Sequence, residues 1–300
     1  MNKTSQYPGV SWDKDRNKWR AHITIGGKLQ FLGRYDSEID AKEAYSKAYA
    51  EKYATTEGDS DYDGCFSGNF NVVTLGDWHV PFEDTSAIEV VMKFISDIQP
   101  NIIIIHEMHD FYTLSRFDKD PNWINCLQDE LDSAAKYLSE IRDICPKSRI
   151  ILLKSNHLDR LRKYLWSKAK GLCSLRALEI SALLELDLLD IEYMDEFIYE
   201  GVIFKHGSLV SQGAGASGLR ELQKENMSGV SGHTHRLAIV YRTDRNNTLF
   251  WVENGSLCNQ RPDYIEGIPN WKLGFSIISW NKNGIPIPRL VSIVNGTCIL

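Results

Sequence analysis

The chain predicts an α/β protein: a two-sheet mixed β-sandwich flanked by helices, preceded by a small unit of three strands and one helix. Three observations lead there. Apolar runs of strand length between Asn71 and Lys154 alternate with helical periodicities, the order of βαβ units. After Glu192 helices thin out and strands multiply, as two packed sheets with helices outside require. Residues 7–49 stand apart, with short strands of two-residue period followed by one helical repeat.

Bulk properties fit this division. A length of 300 residues suggests two domains, with 1–56 as the first, 57–69 as a linker and 70–300 as the body. The linker assignment rests on TTEGDSDYDGCFSG (Thr55–Gly68), which is polar, acidic and without periodicity. The net charge of −6 divides unevenly, +3 for residues 1–56 and −9 for the remainder. A basic unit on an acidic body points to an anionic partner for the first part alone. The longest aliphatic run, Ile102–Ile105, is too short to span a bilayer, so no membrane partner is expected. The start, MNKTSQYPGV, has no signal-peptide core, and six cysteines without a Cys-x-x-Cys pair suit reduced thiols. A cytoplasmic location is expected.

In the first unit, Gly9–Trp12, Lys18–Ile25 and Lys28–Leu32 read as strands, with Gly26-Gly27 as a hairpin turn. Asp36-Ser37 offers a helix cap before Ala41, Ala44, Tyr45, Ala48 and Tyr49. One face of the second strand is apolar and must meet the helix, which leaves Lys18, Arg20, His22 and Thr24 outward. Tyr7 to Ala48, with its Gly-Val, Lys-Trp-x-Ala, Leu-Gly-x-Tyr and Ala-x-x-Ala-Tyr elements, resembles the ethylene-response-factor (APETALA-type) DNA-binding domain. The resemblance implies duplex DNA as a partner, read by the sheet in the major groove through Ser11, Lys18, Arg20, His22 and Phe31. His22 and Thr24 depart from plant members of that family, so no base preference is implied.

The body begins with Val72–Leu75, a short buried strand, after which Gly76 is expected to turn the chain and present Asp77 and His79. Helices are expected at Ser86–Ile98, Gln128–Ile144, Leu158–Ala169, Ser174–Leu186 and Ser217–Asn226. Strands are expected at Asn101–Ile105, Arg149–Lys154, Val202–Lys205, Gly229–Gly232, Ile239–Arg242, Leu249–Glu253 and Phe275–Trp280.

Five of these strands end in potential ligands. Asp77 and His79 follow the first, Glu107 and Asp110 the second, Asn156 and His157 the third, His206 the fourth, and His233 and His235 the fifth. Adjacent strand ends of one sheet would bring these groups to one rim. Imidazole, carboxylate and carboxamide, without thiolate, suit Mn²⁺, Fe or Zn²⁺.

The ordered series Gly76-Asp77-Trp78-His79, His106-Glu107-Met108-His109-Asp110, Ser155-Asn156-His157, Lys205-His206-Gly207 and Gly232-His233-Thr234-His235 resembles the calcineurin-like metallophosphoesterases. The flanks DFYTLSRF, RLRKYLWSKA and NMSGVSGHTHR look like that family's phage and bacterial branch. The resemblance implies a two-sheet fold and two divalent metal ions, with manganese favoured over iron or zinc. Asp77, His79 and His235 would hold the first metal, and Asn156, His206 and His233 the second. Glu107 would stand at the bridging position, His157 would act as the acid at the leaving oxygen, and Asp110 would orient a ligand. A phosphodiester substrate follows, and with the first unit a nuclease acting on bound DNA.

Two positions depart from the family pattern. His106-Glu107 replaces Gly-Asp, and Ser155 replaces the glycine before Asn156. The longer carboxylate and the bulk of His106 predict reduced activity, with Glu107→Asp as a gain. On the competing account the site has adapted to glutamate, with His106 or His109 as a substitute ligand. The alternative is a DNA-binding protein with a degenerate, weak or inactive phosphoesterase body. Gly213–Gly218 lacks the Gly-Lys-Ser/Thr ending of a P-loop and reads as a flexible loop near the substrate. Tyr164, Trp166 and Trp271 are expected in the core.

Overall fold

The computed structural model describes residues 5, 7, 9–25, 28–53, 70–116, 118, 119, 124–245, 247–261 and 267–300. Val10–Asp13 (β1), Lys18–Ile25 (β2) and Lys28–Tyr35 (β3) form an antiparallel sheet in that order. Glu38–Tyr53 (α1) begins where Ser37 Oγ accepts from the Asp40 amide, 3.2 Å away. The two-residue period of β2 decides which face it covers: Trp19 and Ala21 are buried with Val10 and Ala41. The hairpin turn expected at Gly26-Gly27 and the linker 57–69 lie outside the described residues.

The body continues with Phe70–Val80 (β4), Thr85–Ile98 (α2), Ile102–His109 (β5), Leu127–Ile144 (α3), Arg149–Leu153 (β6) and Asp159–Lys168 (α4). After the short Ile180–Leu183 (α5) come Ile191–Met194 (β7), Glu196–Tyr199 (β8), Val202–Lys205 (β9), Ala216–Glu225 (α6) and Ser228–Ser231 (β10). Leu237–Thr243 (β11), Thr248–Asn254 (β12), Gly274–Trp280 (β13), Pro286–Val294 (β14) and Thr297–Ile299 (β15) complete it. A seven-stranded sheet has the order β15-β14-β13-β4-β5-β6-β7, and a five-stranded sheet the order β11-β12-β10-β9-β8. This is the expected fold class, a mixed two-sheet sandwich with helices outside and a small three-stranded sheet before it.

Alternation along each strand builds the layers. Val72, Ile102, Ile104 and Ile151 face Phe204, Val230 and Val252 between the sheets. Val73, Ile103, Ile105 and Leu152 face α2 and α3 through Val91, Phe94, Ala134 and Leu138. Trp251 and Ile203 meet Leu222 of α6 on the far side. The first unit leans on the helical layer: Tyr45 Oη donates to Glu140 Oε1 at 3.1 Å, and Ser46 Oγ to Asp143 Oδ2 at 2.8 Å.

Three expectations are corrected. The turn at Gly76 does not occur, because β4 runs on to Val80. Gly76 serves close approach instead, since a Cβ there would lie 2.7 Å from the Gly255 carbonyl oxygen. The Leu257 amide then donates to the Asp77 carbonyl at 2.8 Å, so the 255–258 segment lies alongside β4. Ser174–Leu186 is not one helix but 3₁₀ turns and the four-residue α5, because its buried leucines, Leu184 and Leu186, are two residues apart. Finally, the five ligand-bearing strands belong to two sheets. β4, β5 and β6 run parallel in one, β9 and β10 parallel in the other, with their carboxyl ends at the same end of the sandwich.

Gly76→Ala should destabilise the fold by about 2 kcal/mol through overpacking against backbone that cannot swing away. The midpoint of urea denaturation measures it, with an unchanged slope as the sign of a local effect.

Candidate metal centre

The centre forms where the two sheets' strand ends meet. Asp77, His79, Glu107, His206 and His235 are buried, and their polar atoms converge. His79 Nε2 lies 2.9 Å from His235 Nε2 and 3.1 Å from Glu107 Oε1. Asp77 Oδ2 is 3.3 Å from His235 Nε2, and Asp77 Oδ1 is 3.7 Å from His206 Nδ1. On the other side Glu107 Oε2 is 3.6 Å from His206 Nε2, which in turn lies 2.7 Å from Asn156 Oδ1. The His233 ring stacks edge-on to His206, their centroids 5.1 Å apart, and the His233 amide donates to Asp77 Oδ2 at 2.6 Å. The other six sequence-predicted ligand residues therefore gather around Glu107.

The backbone is bent to achieve this. His79, His233 and His235 have φ of 53°, 68° and 57°, a region side chains other than glycine rarely adopt and one that clusters at functional sites. Gly232 is required by Asp77: a Cβ there would meet Asp77 Oδ1 at 2.4 Å.

Asp110 and His157 sit beside this cluster. Asp110 Oδ2 lies 2.8 Å from both His79 Nδ1 and His157 Nδ1. Arg160, which sequence reasoning did not single out, donates to Asp110 Oδ1 and to the Asp110 carbonyl, and reaches His157 Nε2 at 3.1 Å. Its position three residues after His157, at a helix start, was the available signal. Cys258 was also missed; its Sγ is 3.7 Å from His235 Nδ1, and burial holds the thiol well above its usual range.

His106 and His109 do not serve as substitute ligands. Residue 106 continues the face of Ile102 and Ile104 into the inter-sheet space, where His106 Nδ1 meets the Lys205 carbonyl at 3.0 Å. His109 Nδ1 accepts from the Phe111 amide at 2.9 Å, and its Nε2 faces Glu130 Oε2 at 3.8 Å. Burial lowers both rings to about 4, so they are neutral. Ser155 also has a local role: its Oγ accepts from the Leu158 amide at 3.1 Å in the turn that precedes α4.

The donor set fits divalent cations. Both Glu107 oxygens and Asp77 Oδ1 are buried without a well-aligned hydrogen-bond donor, a costly state for carboxylates unless a positive charge is shared among them. Burial, and then Glu107, raises Asp77. Burial works the same way on Glu107, but His157, His79 and His206 outweigh it and lower Glu107 to about 2. His79 is raised to about 9: burial opposes its charge, and Glu107 and Asp110 overcome that. Burial lowers His206 to about 3 and leaves His235 well below its usual value. Asp77, His79 and His235 would hold one ion, and Asn156, His206 and His233 a second, with Glu107 between.

The glycine-rich 213–218 segment holds no open anion cradle. The buried Glu253 carboxylate already accepts from the Gly215 and Gly218 amides at 3.0 and 2.7 Å. Nor are the aromatic residues all core: Tyr164 is 43% and Trp166 51% exposed, since α4 has only Leu161 buried. Trp271 lines the cleft, its ring centroid 4.2 Å from that of His235.

In the first unit, register places Ser11 opposite Arg20, Arg20 opposite Arg34 and His22 opposite Phe31, on the face away from α1. Some of its charge is neutralised, since Lys18 pairs with Asp36 at 2.6 Å and Arg34 with Asp13 at 2.9 Å. His22 Nδ1 lies 2.9 Å from the Gly9 carbonyl, and Phe31 is exposed beneath the Arg34 guanidinium.

Ligation by His79 would remove its ring proton, so metal binding should tighten as pH rises toward about 9. The sign follows from the raised value: below it the proton competes with the cation for Nε2. Calorimetric titration with Mn²⁺ at several pH values should show proton release that declines as pH rises through about 9.

No protein-family profile matches this chain. The Gene 54 proteins of Mycobacterium phages D29 and L5 are each 26% identical to it over 242 residues, covering 75% of this chain and 94% of theirs. Among solved structures, Vps29 of Chaetomium thermophilum aligns over 75% of this chain and 93% of its own, at 14% identity and a TM-score of 0.36. The same protein in complex with a cyclic peptide aligns over 76% and 97%, at 12% identity and a TM-score of 0.33. Among the described residues, no helix is long and apolar enough to cross a membrane.

Proposed function

We propose that the chain is a metal-dependent phosphodiesterase of the calcineurin-like type, a nuclease whose first unit binds duplex DNA. The reading is carried by one observation: ligand-type side chains from four strand ends meet around a fifth strand's buried carboxylate, whose oxygens lack well-aligned donors. Two divalent ions, manganese in this proposal, supply Lewis-acid polarisation of phosphoryl oxygens and of water. The chain's own residues do the rest. Asp110 fixes the rings of His79 and His157 by their Nδ1 atoms. His157 Nε2 accepts from Arg160 in this structure. Once Arg160 turns to a phosphate oxygen, Nε2 is free to carry the proton given to the departing oxygen. Arg160, at that same nitrogen, offers a guanidinium to a phosphate oxygen.

Glu107 reaches both halves of the centre through its longer side chain, and the bulk of His106 is absorbed between the sheets. These placements support glutamate as a fitted bridge, against the expectation that aspartate would improve it.

Hydrolysis of bis-(p-nitrophenyl) phosphate with added Mn²⁺ tests the proposal. His206→Ala should lose bound metal and activity together, and Glu107→Asp should lose rather than gain both. His157→Ala should keep its metal while kcat falls by about 10²- to 10⁴-fold. Full metal content and rate in His206→Ala would refute the ligand assignment.

For the first unit, the full chain should bind duplex DNA with an affinity that falls as salt rises. Arg20→Ala should weaken it by about 1–3 kcal/mol if the guanidinium reads a base. Fluorescence anisotropy at several salt concentrations measures both, and salt-independent binding would count against the interface.

A further inference from the structure

Above the metal centre lies a cleft of about 970 Å³, and its walls differ in character from its floor. The acidic lining residues, Asp77 and Glu107, are at the floor and buried. The walls carry four cations, Arg116, Arg160, Lys163 and Lys168. Three of these lie on α4, where Arg160, Lys163, Tyr164, Ser167 and Lys168 follow the 3-and-4 spacing of one helical stripe. That stripe is about 12 Å long at the α-helical rise, room for more than one phosphate. It leads from Arg160, against His157 and Asp110, out to Lys168 at the helix end.

The charges on the stripe are graded. Arg160 is held by Asp110, and Lys163 pairs with Asp159 at 3.1 Å while remaining 64% exposed. No ion pair joins Lys168 to an acidic group among the described residues. Between Lys163 and Ser167 the Tyr164 ring is exposed on the same stripe, and Trp271 lines the cleft beside His235. A cationic track with an exposed aromatic ring set into it matches single-stranded nucleic acid, whose phosphates follow the charges and whose unpaired bases stack. A paired duplex keeps its base faces inside the stack and would leave the Tyr164 ring unused. A small monoester would need a compact anion site, not a track.

Building on the phosphodiesterase reading, we infer that the cleft takes a single-stranded polynucleotide, its flanking phosphates running along Arg160, Lys163 and Lys168 and a base stacking on Tyr164. The stripe selects the strand and sets which phosphodiester lies over the metal centre.

The test is binding of a short fluorescein-labelled oligothymidylate to the metal-stripped full chain, followed by anisotropy across a salt series. Lys163→Ala with Lys168→Ala should weaken binding at least tenfold. It should also reduce the slope of log affinity against log salt by about 1.4, two phosphates at ~0.7 each. Lys163→Arg with Lys168→Arg should retain wild-type affinity. Tyr164→Ala, an exposed substitution, should weaken binding by about 5- to 100-fold, as a lost stacking platform does. Equal binding by all variants would overturn the inference, as would equal competition by a blunt duplex of the same length. Hydrolysis of bis-(p-nitrophenyl) phosphate without oligothymidylate binding would overturn it and leave the diesterase reading standing. Variant-sensitive oligothymidylate binding without that hydrolysis would do the reverse.

Discussion

Two carboxylates, Asp77 and Glu107, are buried at one point with few hydrogen-bond donors, and the rest of the body is arranged around that cost. An ionised carboxylate taken from water costs several kcal/mol even after relaxation. Part is offset by the protein: the His233 amide serves one oxygen of Asp77, and the raised His79 places a positive ring beside Glu107. Asp77 Oδ1 and both oxygens of Glu107 are left over. A hydrophobic isostere would remove the penalty, so retaining two charges here makes sense when cations complete the site.

The scaffold serves that constraint. Parallel strands deliver side chains at their carboxyl ends, and two parallel sets, one per sheet, face each other across the sandwich. Small residues then let the loops close in. Gly76 admits the 255–258 segment beside β4, and Gly232 leaves room for the Asp77 carboxylate. Asp110 is the hub of the next layer, bound to His79, His157 and Arg160 at once. Its bonds to His157 and His79 lower its pKa despite burial.

Much of this was legible in the sequence. The strands that bear ligands are short aliphatic runs with clear ends, and such runs have one stable place, the interior of a layered sheet. What was misread has local physical causes. Residues after Leu75 look like a turn because glycine there suggests freedom, whereas this glycine answers crowding from a segment far along the chain. The strands β14 and β15 were unseen, β14 carrying Pro286 and Pro288, residues that argue against a strand unless it lies toward a sheet edge. The fate of His106 depended on a register only the folded sheet defines: one residue's shift would have exchanged it with Glu107. Cys258 gives no signal, and Arg160 only its place three residues after His157, because their roles are set by contact across elements, with His235 and Asp110.

The start of α4 ties the chemistry to the cleft wall. His157 and Arg160 belong to one tight turn, closed by Ser155 Oγ on the Leu158 amide and by the Arg160 amide on the His157 carbonyl at 2.9 Å. The helix therefore begins at the ring placed as the acid, and its direction is fixed by Arg160 gripping Asp110. Residues one and two turns on must then lie along the cleft, at distances set by helical rise and not by flexible loops. The opposite face of the same helix carries Arg162 stacked on Trp166, turned away from the metal cluster toward a second hollow that reaches Tyr193. One short helix thus holds the proton-handling residues and the substrate wall in a single rigid frame, and a shift of its axis would move both together. Ser155, the departure from glycine at the head of this turn, stiffens that frame with its hydroxyl.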